Sequence, residues 1–140
     1  MDRLWTRARR TLGLLGLGAA VAVSLGMAPA ASAEDFTGDA AKGKQVYEGS
    51  GTCWTCHGKA GKGEGPAGAA LNPAPRDFTT GEFKFDANKD GTPGEPEDLF
   101  LVIKNGAAAY GGNPTMTPWG HLGDETIKDL VAYVLSFSKE

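Results

Sequence analysis

The stretch Cys53-Trp54-Thr55-Cys56-His57 contains both cysteines of the chain, three positions apart, with a histidine directly after the second. This spacing is the attachment pattern of c-type haem. Each thiol adds to one vinyl group of the porphyrin, and the tether is so short that His57 lies under the iron as an axial ligand. The sequence therefore predicts one haem, held covalently by Cys53 and Cys56 and ligated by His57.

Other chemistries also use paired cysteines, namely a thioredoxin-type dithiol, half of a zinc site and a structural disulfide. A dithiol enzyme requires a βαβ pattern around the motif, and none is visible in the sequence. A structural zinc site requires two further ligands, and His121 is the only other histidine. A disulfide is the simple alternative, over which the adjacent His57 favours thioether bonds.

The first 33 residues have the parts of a secretory signal peptide. Four arginines precede a run without charge from Thr11 to Ala33, and Ala31-Ser32-Ala33 is a small-x-small cleavage pattern. We predict cleavage after Ala33 and a mature periplasmic domain of residues 34–140. The alternative is a retained membrane anchor, because the run is long enough to span a bilayer; after cleavage, no stable membrane insertion is expected.

The charge of the predicted mature domain is acidic. Residues 34–140 carry ten lysine and arginine side chains against sixteen aspartates and glutamates, a net charge of −6. This balance argues against nucleic acid as a partner. It favours steering towards a basic docking surface on a redox partner protein. The alternative is that the net negative charge serves only to keep the protein soluble.

The hydrophobic pattern predicts an all-α domain, with three to four helices wrapped around the haem. The predicted helices cover residues 39–47, 97–105 and 124–137, with one short helical turn near 67–71. The last helix has the strongest helical spacing. Its apolar positions are Ile127, Leu130, Val131, Val134 and Leu135. Glycine and proline predict loops between the helices.

The sixth ligand of the iron is predicted to be Met116, the only methionine of residues 34–140. It lies between two prolines, Pro114 and Pro118, directly before the last helix. A thioether sulfur suits low-spin iron and stabilises its reduced state. The competing ligand is His121, which would form a bis-histidine site. A lone methionine packed in the core is the ordinary alternative.

These features together resemble a class I c-type cytochrome over about residues 39–138. Cys53, Cys56 and His57 follow a first helix, and Met116 precedes a last helix, as in that family. On the two helices, four residues resemble the family's crossing contact. They are Gly43, Tyr47, Leu130 and Tyr133. The resemblance implies a cytochrome c fold with one covalent haem.

Two further expectations concern how the haem is held. Pro66 lies nine residues after His57, and the resemblance implies that a backbone carbonyl near Pro66 accepts the Nδ1 proton of His57. Arg76 is the only arginine of residues 34–140. Its forked guanidinium suits a carboxylate, so a haem propionate is the expected partner. The alternative for Arg76 is an ion pair with a nearby acidic residue.

The segment from Asp86 to Glu97 matches the spacing of a calcium-binding loop. The ligands would be Asp86, Asn88, Asp90, Thr92 and Glu97. Calcium would serve there as a structural clip. The alternative is a polar turn, since a proline follows Thr92 and no strong helix leads into the segment.

The predicted function is a soluble one-electron carrier without catalytic residues, because iron with two axial ligands has no position for a substrate. Two alternatives stay open. The domain could be a haem subunit of a larger redox complex. It could also be a sensor or enzyme in which Met116 dissociates and the iron binds a small ligand.

Overall fold

The computed structural model describes residues 36–139. The predicted signal peptide and its cleavage site after Ala33 lie outside the described residues. Between residues 36 and 139 all regular structure is helical and no strand occurs, which confirms the predicted all-α class. In the same part of the chain, no helix is long and apolar enough to cross a membrane.

Four α-helices and three short 3₁₀ helices form the described domain. The α-helices are α1 (Ala40–Glu48), α2 (Trp54–His57), α3 (Pro96–Asn105) and α4 (Asp124–Ser136). The 3₁₀ helices are Ala107–Tyr110, Gly120–Leu122 and Phe137–Lys139. The predicted first, second and last helices are therefore confirmed. The single turn α2, which contains the haem motif, was not predicted.

The helical turn predicted near 67–71 is wrong, because residues 66–70 form hydrogen-bonded turns. Within these turns Gly68 donates its N–H to the carbonyl oxygen of Gly65 at 2.8 Å, and Leu71 donates to that of Gly68 at 3.0 Å, while other backbone groups of the segment bond to the haem motif. Gly65 donates its N–H to the carbonyl oxygen of Cys56 at 3.0 Å, and Ala67 donates to that of Thr55 at 2.8 Å. The segment is thus hydrogen-bonded to the backbone carbonyl groups of α2.

Helix α1 begins at an aspartate cap and crosses α4 at a glycine. The carboxylate of Asp39 accepts the N–H groups of Ala41 at 2.9 Å and of Lys42 at 3.3 Å, as an N-cap does. Gly43 lies where any β-carbon would collide with the backbone of Asp129 on α4. Only glycine permits this close crossing of the two helices.

Helix α3 is fixed at its start by a buried carboxylate. Asp98 is 1% exposed and accepts four backbone N–H groups. The donors are Ala87 (2.6 Å), Asn88 (3.2 Å), Gly94 (2.8 Å) and Glu95 (3.1 Å). A carboxylate with this many donors is well satisfied despite its burial. It joins the loop of residues 86–95 to the first turn of α3.

The core lies between α1, α3 and α4. Its buried hydrophobic members are Tyr47, Phe78, Leu99, Phe100, Ile127, Leu130, Val131 and Val134. Tyr47 meets Tyr133 edge to face with ring centroids 5.2 Å apart, and its hydroxyl donates to the carbonyl oxygen of Gly58 at 2.8 Å. That bond holds the end of α2 against α1, and so places the motif at one side of the core.

Candidate haem-binding site

The two cysteines and the histidine of the motif lie on one helical turn. The N–H of Cys56 bonds to the carbonyl oxygen of Cys53 at 3.2 Å, and that of His57 bonds to the same oxygen at 3.0 Å. Residues three and four positions apart share one face of a helix. Both cysteines are free and half-buried, so the disulfide alternative is not formed. The turn presents two thiols and an imidazole together.

The thiol of Cys53 is not an activated nucleophile. Burial raises the pKa of Cys53 to about 11, and the neighbouring Cys56 adds to the rise, while a backbone hydrogen bond opposes it. A dithiol oxidoreductase depends on a lowered thiol pKa. The electrostatics of the motif therefore argue against that chemistry.

The imidazole of His57 is oriented by two groups from one loop. With Nδ1 protonated, the ring donates to the carbonyl oxygen of Arg76 at 3.3 Å. One face lies on the ring of Phe78, with centroids 4.5 Å apart and planes 21° apart. Burial lowers the pKa of His57, and the Arg76 bond opposes that shift. A neutral ring with Nδ1–H bonded leaves Nε2 as the free ligand atom.

This acceptor corrects one expectation. The Nδ1 partner in the structure is the carbonyl oxygen of Arg76, and not one near Pro66. The hydrogen bonds of the chain around Pro66 run instead to the backbone carbonyls of Thr55 and Cys56. Segment 65–67 thus bonds to the backbone of the motif, while the loop at Arg76 bonds to the ring of His57.

All five residues predicted to bind the cofactor line a single cavity of about 570 Å³. They are Cys53, Cys56, His57, Arg76 and Met116. Much of the remaining lining is aliphatic. It includes Leu71, Leu99, Val102, Ile103, Leu130 and Val134. A largely apolar cavity of this size with a few convergent polar groups is typical of a cofactor site.

The loop that contains Met116 is bound to the end of α3. The carbonyl oxygen of Met116 accepts the N–H of Ala107 at 3.1 Å, and Trp119 donates its N–H to the carbonyl oxygen of Ile103 at 3.0 Å. Gly106 lies at φ 80°, and a β-carbon there would lie 2.9 Å from the Met116 carbonyl oxygen. These contacts hold Met116 at the cavity. The competing ligand His121 is exposed and does not line it.

The donor set fits haem c. Two free thiols meet the requirement for thioether bonds, and an imidazole and a thioether are the axial ligands of many c-type cytochromes. The apolar lining matches the porphyrin plate. When bound, the haem would supply an iron centre that gains and loses one electron. The protein side chains would attach the haem, hold the axial donors and exclude water.

The structure also places three further side chains, Phe78, Trp119 and Arg76, relative to the cavity. Phe78 had no predicted role, and its stacking on His57 follows from tertiary packing that no local pattern signals. Trp119, three residues after Met116, also lines the cavity. Arg76 also lines it and is half-buried, so its predicted contact with a propionate stays a prediction.

The structure gives no support to the predicted calcium site. Within residues 36–139, no group of three or more histidine, cysteine, aspartate or glutamate side chains could hold a metal ion. The expected ligands bond to the loop itself: Asp86 accepts the N–H of Asp90 at 3.0 Å, and the Asn88 amide donates to Glu97 at 3.1 Å. Asp98, for which the sequence predicted no role, closes the loop from the α3 side.

Comparison with known families decides the identity of the fold. The family model described as Cytochrome c matches residues 40–138, which contain both cysteines, His57 and Met116. The chain belongs to the cytochrome c family. Its small size and single Cys-x-x-Cys-His motif fit a monohaem c-type cytochrome of class I. No curated protein matches this cytochrome c significantly.

Among solved structures, this cytochrome c is similar to a chain of the reducing HAO-like protein complex of Kuenenia stuttgartiensis. The two are 34% identical, with a TM-score of 0.56. The match covers 69% of this chain and 41% of that chain. The cytochrome c domain thus corresponds to less than half of the larger protein.

Proposed function

We propose that the protein is a periplasmic one-electron carrier, with one haem c attached through Cys53 and Cys56 and ligated by His57 and Met116. The observation that carries the proposal is the shared cavity, which all four side chains line. The cytochrome c family match supports haem as the occupant. Export is inferred from the sequence of residues 1–33.

The side chains around the cavity suit electron transfer better than bond chemistry. A carrier needs an iron centre whose ligands stay in place when its charge changes. Apart from Met116, the polar groups of the Met116 loop that line the cavity are neutral: Asn113, Thr115 and Thr117. None of these is a general acid or base at neutral pH. We infer that the Met116 side of the site provides no catalytic proton transfer; Lys84 and Asp98 also line the cavity, and the Asp98 carboxylate is occupied by four backbone N–H groups.

The absorption spectrum of the exported protein, oxidised and reduced, with and without carbon monoxide, tests this proposal. A thioether-haem spectrum with the methionine-to-iron charge-transfer band, unchanged by carbon monoxide, is the expected result. A large shift with carbon monoxide would show an accessible sixth position and would favour the sensor or enzyme alternative. Haem that is extracted by acidified organic solvent would overturn covalent attachment.

A second candidate is a permanent subunit of a redox complex. It is favoured by the resemblance to a chain from a complex of Kuenenia stuttgartiensis, of which this chain spans only 41%. Size-exclusion chromatography of the protein purified from its native membrane and periplasmic fractions distinguishes the two. A carrier elutes as a free small domain, whereas a subunit co-elutes with its complex.

A further inference from the structure

A second cavity of about 660 Å³ lies outside the haem site and shares no lining residue with it. It is formed where one face of α1 and the end of α4 meet the loop after His57. Its charged lining side chains are Lys44, Glu48, Lys59 and Lys62. We call this cavity the lysine groove. It is open on the surface and is a candidate docking site.

The charge of the lysine groove is opposite to that of the chain. Three lysines face one glutamate, whereas residues 34–140 carry a net charge of −6. All three lysines are exposed, and none forms an ion pair with any residue between 36 and 139. Lys59 is positioned 5.5 Å from the ring centroid of Trp54. Lysines without a salt bridge in a concave surface concentrate positive potential there, which Glu48 and the nearby Asp77, whose carboxylate interacts with Lys62, offset only in part.

The floor of the lysine groove connects to the haem ligand through packed rings. Tyr133 and Phe137 line the groove, with centroids 4.9 Å apart. Phe137 lies 6.0 Å from Phe78, and Phe78 stacks on His57 at 4.5 Å. Gly61 fits the loop closely to the same floor, because a β-carbon there would lie 2.9 Å from the Phe137 ring. An unbroken series of ring contacts therefore joins the groove to His57 in the haem site.

We propose that the lysine groove is a docking surface for an acidic patch on a redox partner protein. Complementary charge steers association and fixes orientation, and here the positive groove selects carboxylates. The rest of the acidic surface selects a basic partner instead. A carrier meets a donor and an acceptor, and two surfaces of opposite charge let it meet each on a separate face. The inference rests on the proposed carrier function, although docking itself depends only on the groove.

Hexacyanochromate(III) is the probe for this surface, because it is a trivalent anion that is redox-inert and paramagnetic. It broadens the amide NMR signals of the residues near which it binds. In the haem-loaded protein, we expect broadening centred on Lys44, Lys59 and Lys62. A second titration with a polyglutamate peptide is expected to shift the same amides, and both effects weaken as salt screens the charges.

A triple variant with Lys44→Gln, Lys59→Gln and Lys62→Gln tests the assignment. It should bind hexacyanochromate(III) at least about fivefold more weakly. The matched control changes Lys42, Lys89 and Lys128 to glutamine, which removes the same charge outside the groove. The control should retain the broadening at the groove.

Three outcomes overturn the docking proposal. Broadening could centre on the Met116 loop, both triple variants could weaken binding equally, or polyglutamate could leave the groove amides unshifted. A further outcome would also overturn it: a dimer that the groove variant alone dissociates would assign the groove to a second copy of the chain. The haem spectrum is recorded on the same samples, so a failure of the carrier function appears there and not in the anion titration.

Discussion

The ring of Phe78 lies nearly parallel to the imidazole of His57, with centroids 4.5 Å apart. The carbonyl oxygen of Arg76, two residues earlier, holds Nδ1 of the same imidazole at 3.3 Å. One short loop thus fixes both the rotation and the position of the predicted iron ligand. The packing of this loop against the core therefore determines the geometry of the site.

Phe78→Ala is expected to destabilise the domain by about 3–5 kcal/mol, because a 7% exposed aromatic ring is lost and a cavity forms beside His57. Denaturant unfolding of the haem-loaded protein measures the loss, and the reduction potential reports the loosened imidazole. Phe85→Ala, at a half-buried position, serves as the control and should cost less. Equal losses in the two variants would show that the stack has no special role.

Met116→Ala is expected to open the sixth position of the haem iron. The loop stays attached to α3 through its backbone bonds, so the fold should persist. Loss of the charge-transfer band and new binding of carbon monoxide, both followed by absorption, are the expected signals. His121→Ala is the matched control and should leave both unchanged, because His121 does not line the cavity. A carbon monoxide response in the control alone would reassign the ligand.

Gly43→Ala should destabilise the crossing of α1 and α4 by about 1–3 kcal/mol, the usual cost of overpacking. The added β-carbon would collide with the backbone of Asp129 and lie 2.9 Å from the β-carbon of Tyr133. Gly91→Ala is the comparison, since Gly91 has φ 94° but nothing within 4 Å of the place that a β-carbon would take. Gly91→Ala should destabilise the domain by about 1 kcal/mol, because only the strain of a positive φ at a residue with a β-carbon is added. Thermal unfolding ranks the two.

Asp98→Asn should destabilise the domain by about 2–3 kcal/mol. The carboxylate accepts four backbone N–H groups, and an amide has one oxygen to offer them. Glu82→Gln, an exposed carboxylate in the same loop region, is the control and should change stability by less than about 0.5 kcal/mol. Hydrogen exchange at Ala87 and Gly94 measures the local effect. Unchanged protection there would contradict the role assigned to Asp98.

Alkaline pH should destabilise the domain through Tyr47. Burial raises the pKa of Tyr47 well above its usual value, and the neighbouring Cys53 adds to the rise. An unfolded tyrosine loses its proton at about pH 10, while the folded one keeps it to donate to Gly58. The contribution of Tyr47 to stability is therefore complete below about pH 10 and is lost as the pH rises further.

Unfolding midpoints measured across this pH range, for wild type and for Tyr47→Phe, check the expectation. The wild type should lose stability more steeply with rising pH, because the variant has no proton at this position to lose. Parallel curves would show that Tyr47 titrates alike in the folded and unfolded chains.

The features that the sequence predicted correctly are those with local signals. The Cys-x-x-Cys-His spacing identified the haem attachment motif, and the repeat of apolar residues predicted the position of the last helix, α4. Both of these depend on residues within a few positions of one another. The close approach of Gly43 to α4 was also predicted correctly, but that prediction came from the resemblance to class I c-type cytochromes and not from a local pattern.

The features that were missed depend on side-chain and backbone contacts that no residue pattern signals. His57 and Arg76 are 19 residues apart, and nothing near Arg76 marks its carbonyl as an acceptor. No role was predicted for Asp98, although its carboxylate closes the preceding loop. The calcium pattern rests on spacing alone and stays a prediction, although oxygens of Asp86 and Asp90 already accept backbone N–H groups of the loop.

The N-cap of α1 has a consequence for the order of assembly. The N–H of Asp39 bonds to the Asp129 carboxylate at 2.7 Å, across 90 residues of sequence. Contacts of such separation form late, since a long loop must close first. A chain that emerges from its amino end therefore presents Cys53 and Cys56 before α4 exists to close the domain. We expect both thiols to be accessible to covalent modification during that interval. The bond between Asp39 and Asp129 would then form afterwards and hold the first and last helices of the domain together.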